Sequence, residues 1–163
     1  MKIFTSYYSN FARIPSDLLC IGISRYIPDE FKTTKIHNFL YTPNSILAPS
    51  RELLMKIKNG EIGQDEYAKI YFSEIGQSFI KLGYRDAREY FAKMISDFEK
   101  SFSEKDGPLS SFNGIVFLCY EKPGDFCHRH LLAALMRSLG YDVSEFEKRK
   151  LASKNDTISN ELF

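Results

Sequence analysis

The amino-acid sequence predicts one compact three-layer α/β domain, with a short, mainly parallel sheet and helices on both faces. Three observations predict it. Apolar runs recur that are long enough for one buried strand and too short for a buried helix, the clearest being Ile115 to Tyr120. Between and after these runs, aromatic and aliphatic residues repeat at helical spacing. The length of 163 residues suits a single domain with one sizeable core. No internal repeat or low-complexity linker divides the chain. The domain is read over residues 1–146, and residues 147–163 form a polar tail with too little apolar surface to require order.

The elements follow in order. Met1 to Tyr8 alternates as a strand does and breaks at Ser9 and Asn10. A second strand is read in LLCIGIS, ending at Ser24 and Arg25 before the turn-like Tyr26-Ile27-Pro28-Asp29. From Phe31 to Pro49 no period is evident, and only Phe39 to Tyr41 reads as extended. Ser50 caps a short helix that Asn59 and Gly60 end. A longer helix runs from about Gln64 to Leu82, and Asp86 with Glu89 forms a reciprocal cap on the next, whose face carries Tyr90, Phe91, Met94, Ile95, Phe98 and Phe102. Core packing against the sheet accounts for both aromatic stripes. After the strand at Ile115, Lys122, Pro123 and Gly124 form the stop. Asp125 is expected to cap a helix beginning near Phe126 and ended by Gly140, and Tyr141 to Phe146 adds a short last strand.

Charge excludes little and selects nothing: 22 basic side chains face 21 acidic ones. The N-terminus shows no signal-peptide pattern and no run reaches membrane-spanning length, so a cytoplasmic location and no membrane partner are expected. Three cysteines make an odd count. Cys20 and Cys119 sit in apolar runs and read as small buried apolar residues, so no disulfide framework is expected.

The polar residues that matter gather after the strands. If the strands at Met1, Leu18 and Ile115 are parallel, their carboxyl ends deliver Ser6, Tyr8, Asn10, Ser24, Arg25, Glu121 and Cys127 to one edge, where open α/β sheets bind ligands. Cys127, His128 and Arg129 fall in the first turn of the last long helix. There the free N–H groups and the positive end of the helix dipole favour anions, and favour thiolate over thiol. Cys127 is the candidate nucleophile, with Glu121 and His128 as orienting or acid–base groups. Arg25 and Arg129 are candidate anion clamps, and Ser6, Tyr8, Asn10 and Ser24 further ligand contacts. Other readings stay open: an inert Cys127, a redox sensor, and an Arg129 bound structurally to Glu121. His128 and His130 cannot share a helix face, so one of them is expected to face solvent. A zinc site from Cys127, His130 and Cys119 lacks the paired C-x-x-C spacing, and no metal or cofactor is expected. No G-x-G-x-x-G, Walker loop, G-x-S-x-G elbow or C-x5-R loop is present.

The segment FLCYEKPGDFCHRHLLA resembles the domain-of-unknown-function 488 family, whose signature is L-C-x-E followed by C-H-R at the start of a helix. Leu118, Cys119, Glu121, Cys127, His128 and Arg129 match it. The opening IFTSYYSN, the strand IGISRYIP and the segment LAPSRELL from Leu47 to Leu54 resemble the same family, so the likeness reaches to about Val143. It implies a compact α/β fold with a shared polar site, in a family whose reaction is not established. Longer members carry a Gly-His pair where this chain has Ser6 and Tyr7, so that pair's role is not carried over. The resulting expectation is an α/β protein that binds a small anionic or nucleotide-like ligand. It would act as a cysteine-dependent hydrolase or transferase on nucleic acid or its components. The competing expectation is a non-catalytic ligand-sensing or protein-interaction module using the same arginines. The sequence is silent on oligomeric state.

Overall fold

Strand β4, Gly114–Cys119, is buried along its whole length, and the sheet is built around it. A computed structural model of the chain describes residues 1–33, 35–42, 45–122 and 124–146. The tail from 147 to 163, and Pro123 of the expected stop after β4, lie outside the described residues. On one side β4 pairs with β1, Lys2–Tyr7, and on the other with β2, Leu18–Gly22. The short strands β3, Phe39–Tyr41, and β5, Val143–Glu145, close the two edges, giving the order β3-β2-β4-β1-β5 with every pairing parallel. A central parallel strand is covered on both faces, which is why GIVFLC reads as a continuous apolar run. Gly114 opens the strand because a Cβ there would meet the Lys2 carbonyl oxygen at 2.7 Å.

Alternate residues of β4 face opposite layers. Ile115 and Phe117 pack under the helices α2 (Arg51–Lys58), α3 (Gln64–Lys81), α4 (Ala87–Ser103) and α5 (His128–Ser138). Tyr71, Ile75 and Phe79 of α3 and Leu132, Ala133 and Met136 of α5 supply that layer. Val116 and Leu118 face the other side, where a single 3-10 turn at Tyr8–Arg13 and the five-residue α1, Asp29–Thr33, form a thin aromatic cover with Phe11, Phe31 and Phe39. Helices therefore lie on both faces, but unequally.

The boundaries agree with the local signals where side chains act on their own backbone. Ser50 Oγ accepts the Leu53 N–H at 3.1 Å, and Gly140 sits at φ 98° beyond α5, in the left-handed region that ends helices. Three readings need correction. The break at Ser9 and Asn10 is a 3-10 turn, and the segment read as irregular begins with part of α1, whose five residues are too few to display a period. The expected reciprocal cap is only half made: Asp86 Oδ1 accepts the Glu89 N–H at 2.9 Å, but the Glu89 carboxylate accepts from the Arg85 N–H. Among the described residues no helix is long and apolar enough to cross a membrane.

Candidate active site at the C-terminal edge

The last residue of β4 and the residue before α5 meet. Helix α5 starts at His128, one turn's fraction later than the sequence suggests, because Cys127 and not Asp125 is its N-cap. Cys127 is extended at φ −151° and ψ 143°, and its sulfur accepts the Arg129 N–H at 3.5 Å. A thiol sulfur thus does what the Asp125 carboxylate was expected to do, and Asp125 stays exposed. His128 Nε2–H donates to the Ile23 carbonyl at 2.9 Å, which turns Nδ1 toward two sulfurs: Cys119 at 3.6 Å and Cys127 at 3.9 Å. The Cys119 thiol lies 3.1 Å from Glu121 Oε2. The chain bends at Tyr120 and Glu121 just beyond β4, and this contact spans the bend.

The electrostatics follow from these contacts. The adjacent Cys119 thiol is the largest influence lowering the Cys127 pKa below the ordinary thiol range; His128 and the Arg129 N–H add to it, and burial opposes it. Cys119 is pushed the other way, first by burial and then by its charged neighbour. Glu121 is exposed as a residue, yet partial burial of its carboxyl and the adjacent Cys127 sulfur raise its pKa. Cys20, by contrast, lies wholly in the core, and burial alone pushes its thiol up to about 12.

A cavity of about 440 Å³ opens beside this cluster, lined by Ser24, Arg25, Lys58, Cys119, Glu121 and His128 among others. Tyr26 and Tyr120, 57 % and 45 % exposed, flank it. Arg25 enters from the end of β2, and its Nε donates to the Pro49 carbonyl at 2.8 Å. The segment carrying Pro49 is itself fixed, since the Tyr71 hydroxyl donates to the Leu47 carbonyl at 2.7 Å and Glu74 accepts from the Ser50 N–H at 3.0 Å.

The remaining sequence candidates go elsewhere. Arg129 is fully buried and does not line the cavity. Its guanidinium makes a two-point pair with Glu145, Nη2 to Oε1 at 3.1 Å and Nε to Oε2 at 3.4 Å, donates from Nη1 to the Glu121 carbonyl, and lies 5.7 Å from the Tyr7 ring. Its carboxylate partner is therefore Glu145, on a strand the chain adds last, and not Glu121. Ser6 accepts from the Asn10 amide at 3.0 Å, and Asn10 also donates to the Phe146 carbonyl at 3.3 Å; neither reaches the cavity. Tyr8 donates to Ser24 Oγ at 2.6 Å, and Ser24 in turn donates to the Tyr26 carbonyl, so Tyr8 supports the cavity from the aromatic layer. His128 is 5 % exposed, whereas His130 is half-buried with its Nε2 out of solvent.

The L-C-x-E and C-H-R residues thus form one connected cluster with Arg25 close by. The family profile of DUF488-N3a, described as the active DUF488-N3 subclade, matches residues 4–140. The chain belongs to the DUF488 family. No curated protein and no solved structure matches it. In this DUF488 protein the residue that sequence reasoning underrated is Cys119, read as an apolar core residue because its run is apolar. The C-x-E spacing at the very end of the strand was the signal that separates it from Cys20. Lys58 carried no signal, being one of many lysines near the end of a helix.

Proposed function

We propose that this DUF488 protein is a cysteine-dependent enzyme that binds a small anionic, nucleotide-like ligand in the cavity beside β4, with Cys127 as nucleophile. The carrying observation is the seat of the Cys127 sulfur, which caps α5 through the Arg129 N–H while the Cys119 thiol and His128 Nδ1 converge on it. Backbone donors and a helix start of this kind stabilise a thiolate. Arg25 and Lys58 bring positive charge to the ligand, and Tyr26 and Tyr120 offer exposed rings on which a base can stack. That combination supports nucleic acid or its components as substrate class.

In the reaction, the Cys127 sulfur bonds to an electrophilic carbon of the ligand. His128 takes the Cys127 thiol proton and passes it to the leaving group, which departs with the bonding pair; water or an acceptor molecule then displaces the sulfur, and the proton it loses returns through His128 to Cys127. Arg129 is a positioning residue, fixing the Glu121 carbonyl and hence the turn that bears the Glu121 carboxyl. All three cysteines are free thiols, which suits a reducing cytoplasm. The 3 % exposure of Cys127 and its absence from the cavity wall favour a second reading, a non-catalytic binding module.

Two measurements separate them. Iodoacetamide labelling of Cys127 across pH, in chelator-treated protein with Cys127→Ser as control, is expected to stay fast well below the ordinary thiol pKa of about 8.5. An ordinary profile overturns the nucleophile and leaves the binding module. Nucleoside monophosphates are expected to raise the melting temperature by linkage, and to lose that effect in Arg25→Ala. No shift with any of them overturns the ligand class.

A further inference from the structure

The geometry points to a binding site for a thiophilic divalent cation of the zinc class, formed by Cys119, Cys127 and His128. The two sulfurs and His128 Nδ1 all lie within 4.8 Å of one another, with Nδ1 at 3.6 and 3.9 Å from the sulfurs. A tetrahedral zinc ion, bonded to sulfur at about 2.3 Å and to nitrogen at about 2.0 Å, holds its ligand atoms roughly 3.5–3.8 Å apart. The two nitrogen–sulfur distances therefore need shifts of a few tenths of an ångström, and all three ligand atoms, within 4.8 Å of one another, close on the ion by about an ångström or less.

Three more features belong to a metal site. His128 donates its far N–H to the Ile23 carbonyl at 2.9 Å, the outer contact that fixes the tautomer and aims the lone pair of a metal-binding imidazole. All three residues are buried, and they are held by the end of a central strand and the first turn of a helix. Two thiolates and a neutral imidazole balance a doubly charged ion, so the occupied cluster carries no net charge when its fourth ligand is water. Glu121 Oε2, 3.1 Å from the Cys119 sulfur, can provide the fourth ligand or leave that position to a water from the cavity. Two sulfurs and a nitrogen select zinc or cobalt over calcium and magnesium, which take oxygen.

The histidine is His128 and not His130, the residue that chain spacing alone couples to the two cysteines. His130 follows by two positions on α5, and two residues apart on a helix do not share a face. The site goes beyond the catalytic reading and shares one atom with it. With the ion bound, the Cys127 sulfur is a ligand, so the loaded and nucleophilic forms exclude each other, and zinc holds the nucleophile in reserve.

The test is an anaerobic titration of the reduced, chelator-treated full chain with Co2+ as a spectroscopic stand-in. One equivalent is expected to bind with near-ultraviolet sulfur-to-cobalt charge transfer and the ligand-field bands of a tetrahedral ion, and Zn2+ is expected to bleach both. Cys119→Ser, Cys127→Ser and His128→Gln should each weaken binding by at least about tenfold, and His130→Gln should not. Absent charge transfer in the unmodified chain, which needs no variant to fold, or unchanged binding by Cys119→Ser, overturns the site. Iodoacetamide labelling tells the two proposals apart. No cobalt binding with fast low-pH labelling removes only the metal. Cobalt binding with ordinary labelling of the chelator-treated protein removes only the nucleophile. If both hold, Zn2+ protects Cys127 and a chelator restores its labelling.

Discussion

The C-terminal edge of the sheet has two halves that look alike in sequence and behave differently in the fold. At the end of β2, Ser24 and Arg25 open onto a cavity. At the end of β1, Asn10 donates to Ser6 and to the Phe146 carbonyl, and Arg129 is locked between Glu145 and the Glu121 carbonyl. The difference is β5. It pairs with β1 and brings Glu145 and Phe146 over that half of the edge, whereas β3, on the far side of β2, ends at Tyr41, whose hydroxyl donates to the Arg25 carbonyl while the Arg25 side chain lines the cavity. Two arginines following strand or loop signals thus receive opposite work: one lines a cavity, and the other closes the wall behind the thiols.

The sharpest break of that comparison is Arg129→Met. If the guanidinium is a buried structural partner, removing it takes the charged partner from the partly buried Glu145 carboxylate, which keeps the Thr5 hydroxyl, and costs about 3 kcal/mol in urea unfolding. A second change, Glu145→Gln, should recover much of the loss. Near-native stability with abolished nucleotide binding would instead assign Arg129 to the open half.

Next in size is the pH profile of the thiols. A depressed pKa keeps the Cys127 thiolate populated as pH falls, so its alkylation rate should be nearly flat from pH 8 to 6. An ordinary thiol, with its pKa near 8.5, slows about tenfold per unit there. Cys119→Ser replaces the adjacent thiol that holds Cys127 down, and should move the profile back toward the ordinary one. Cys20, raised by burial, should label only on unfolding.

Arg25→Ala should weaken nucleotide binding by about 1.5–3 kcal/mol, the worth of hydrogen bonds to a charged group, read by calorimetry. Loss of its bond to Pro49 alone should cost about 1 kcal/mol of stability. Ser6→Ala is the smallest case. Asn10 keeps the Phe146 carbonyl, so about 1 kcal/mol of stability should be lost with ligand binding unchanged. A binding defect in Ser6→Ala would show that the closed half communicates with the cavity.

What the chain settles by itself is what short-range physics controls. The apolar runs of β1, β2 and β4, the helical stripes of α3, α4 and α5, the Ser50 cap and the Gly140 stop are each written in a window of a few residues, because backbone geometry sets their periods. So is the block from Cys119 to Arg129, which the family signature marks. What only the tertiary structure decides is which side of each polar residue meets a partner far along the chain. Arg129 finds Glu145 and His128 finds the Ile23 carbonyl, 105 positions away, because β5 joins the sheet beside β1 and α5 begins at the end of β4. Cys119 differs from Cys20 for the same reason. Both sit in apolar strands, but one lies in the middle of its strand among aromatic rings and the other ends its strand where a helix start supplies polar neighbours; the C-x-E spacing marks the rim, and only the fold brings Cys127 and His128 to it.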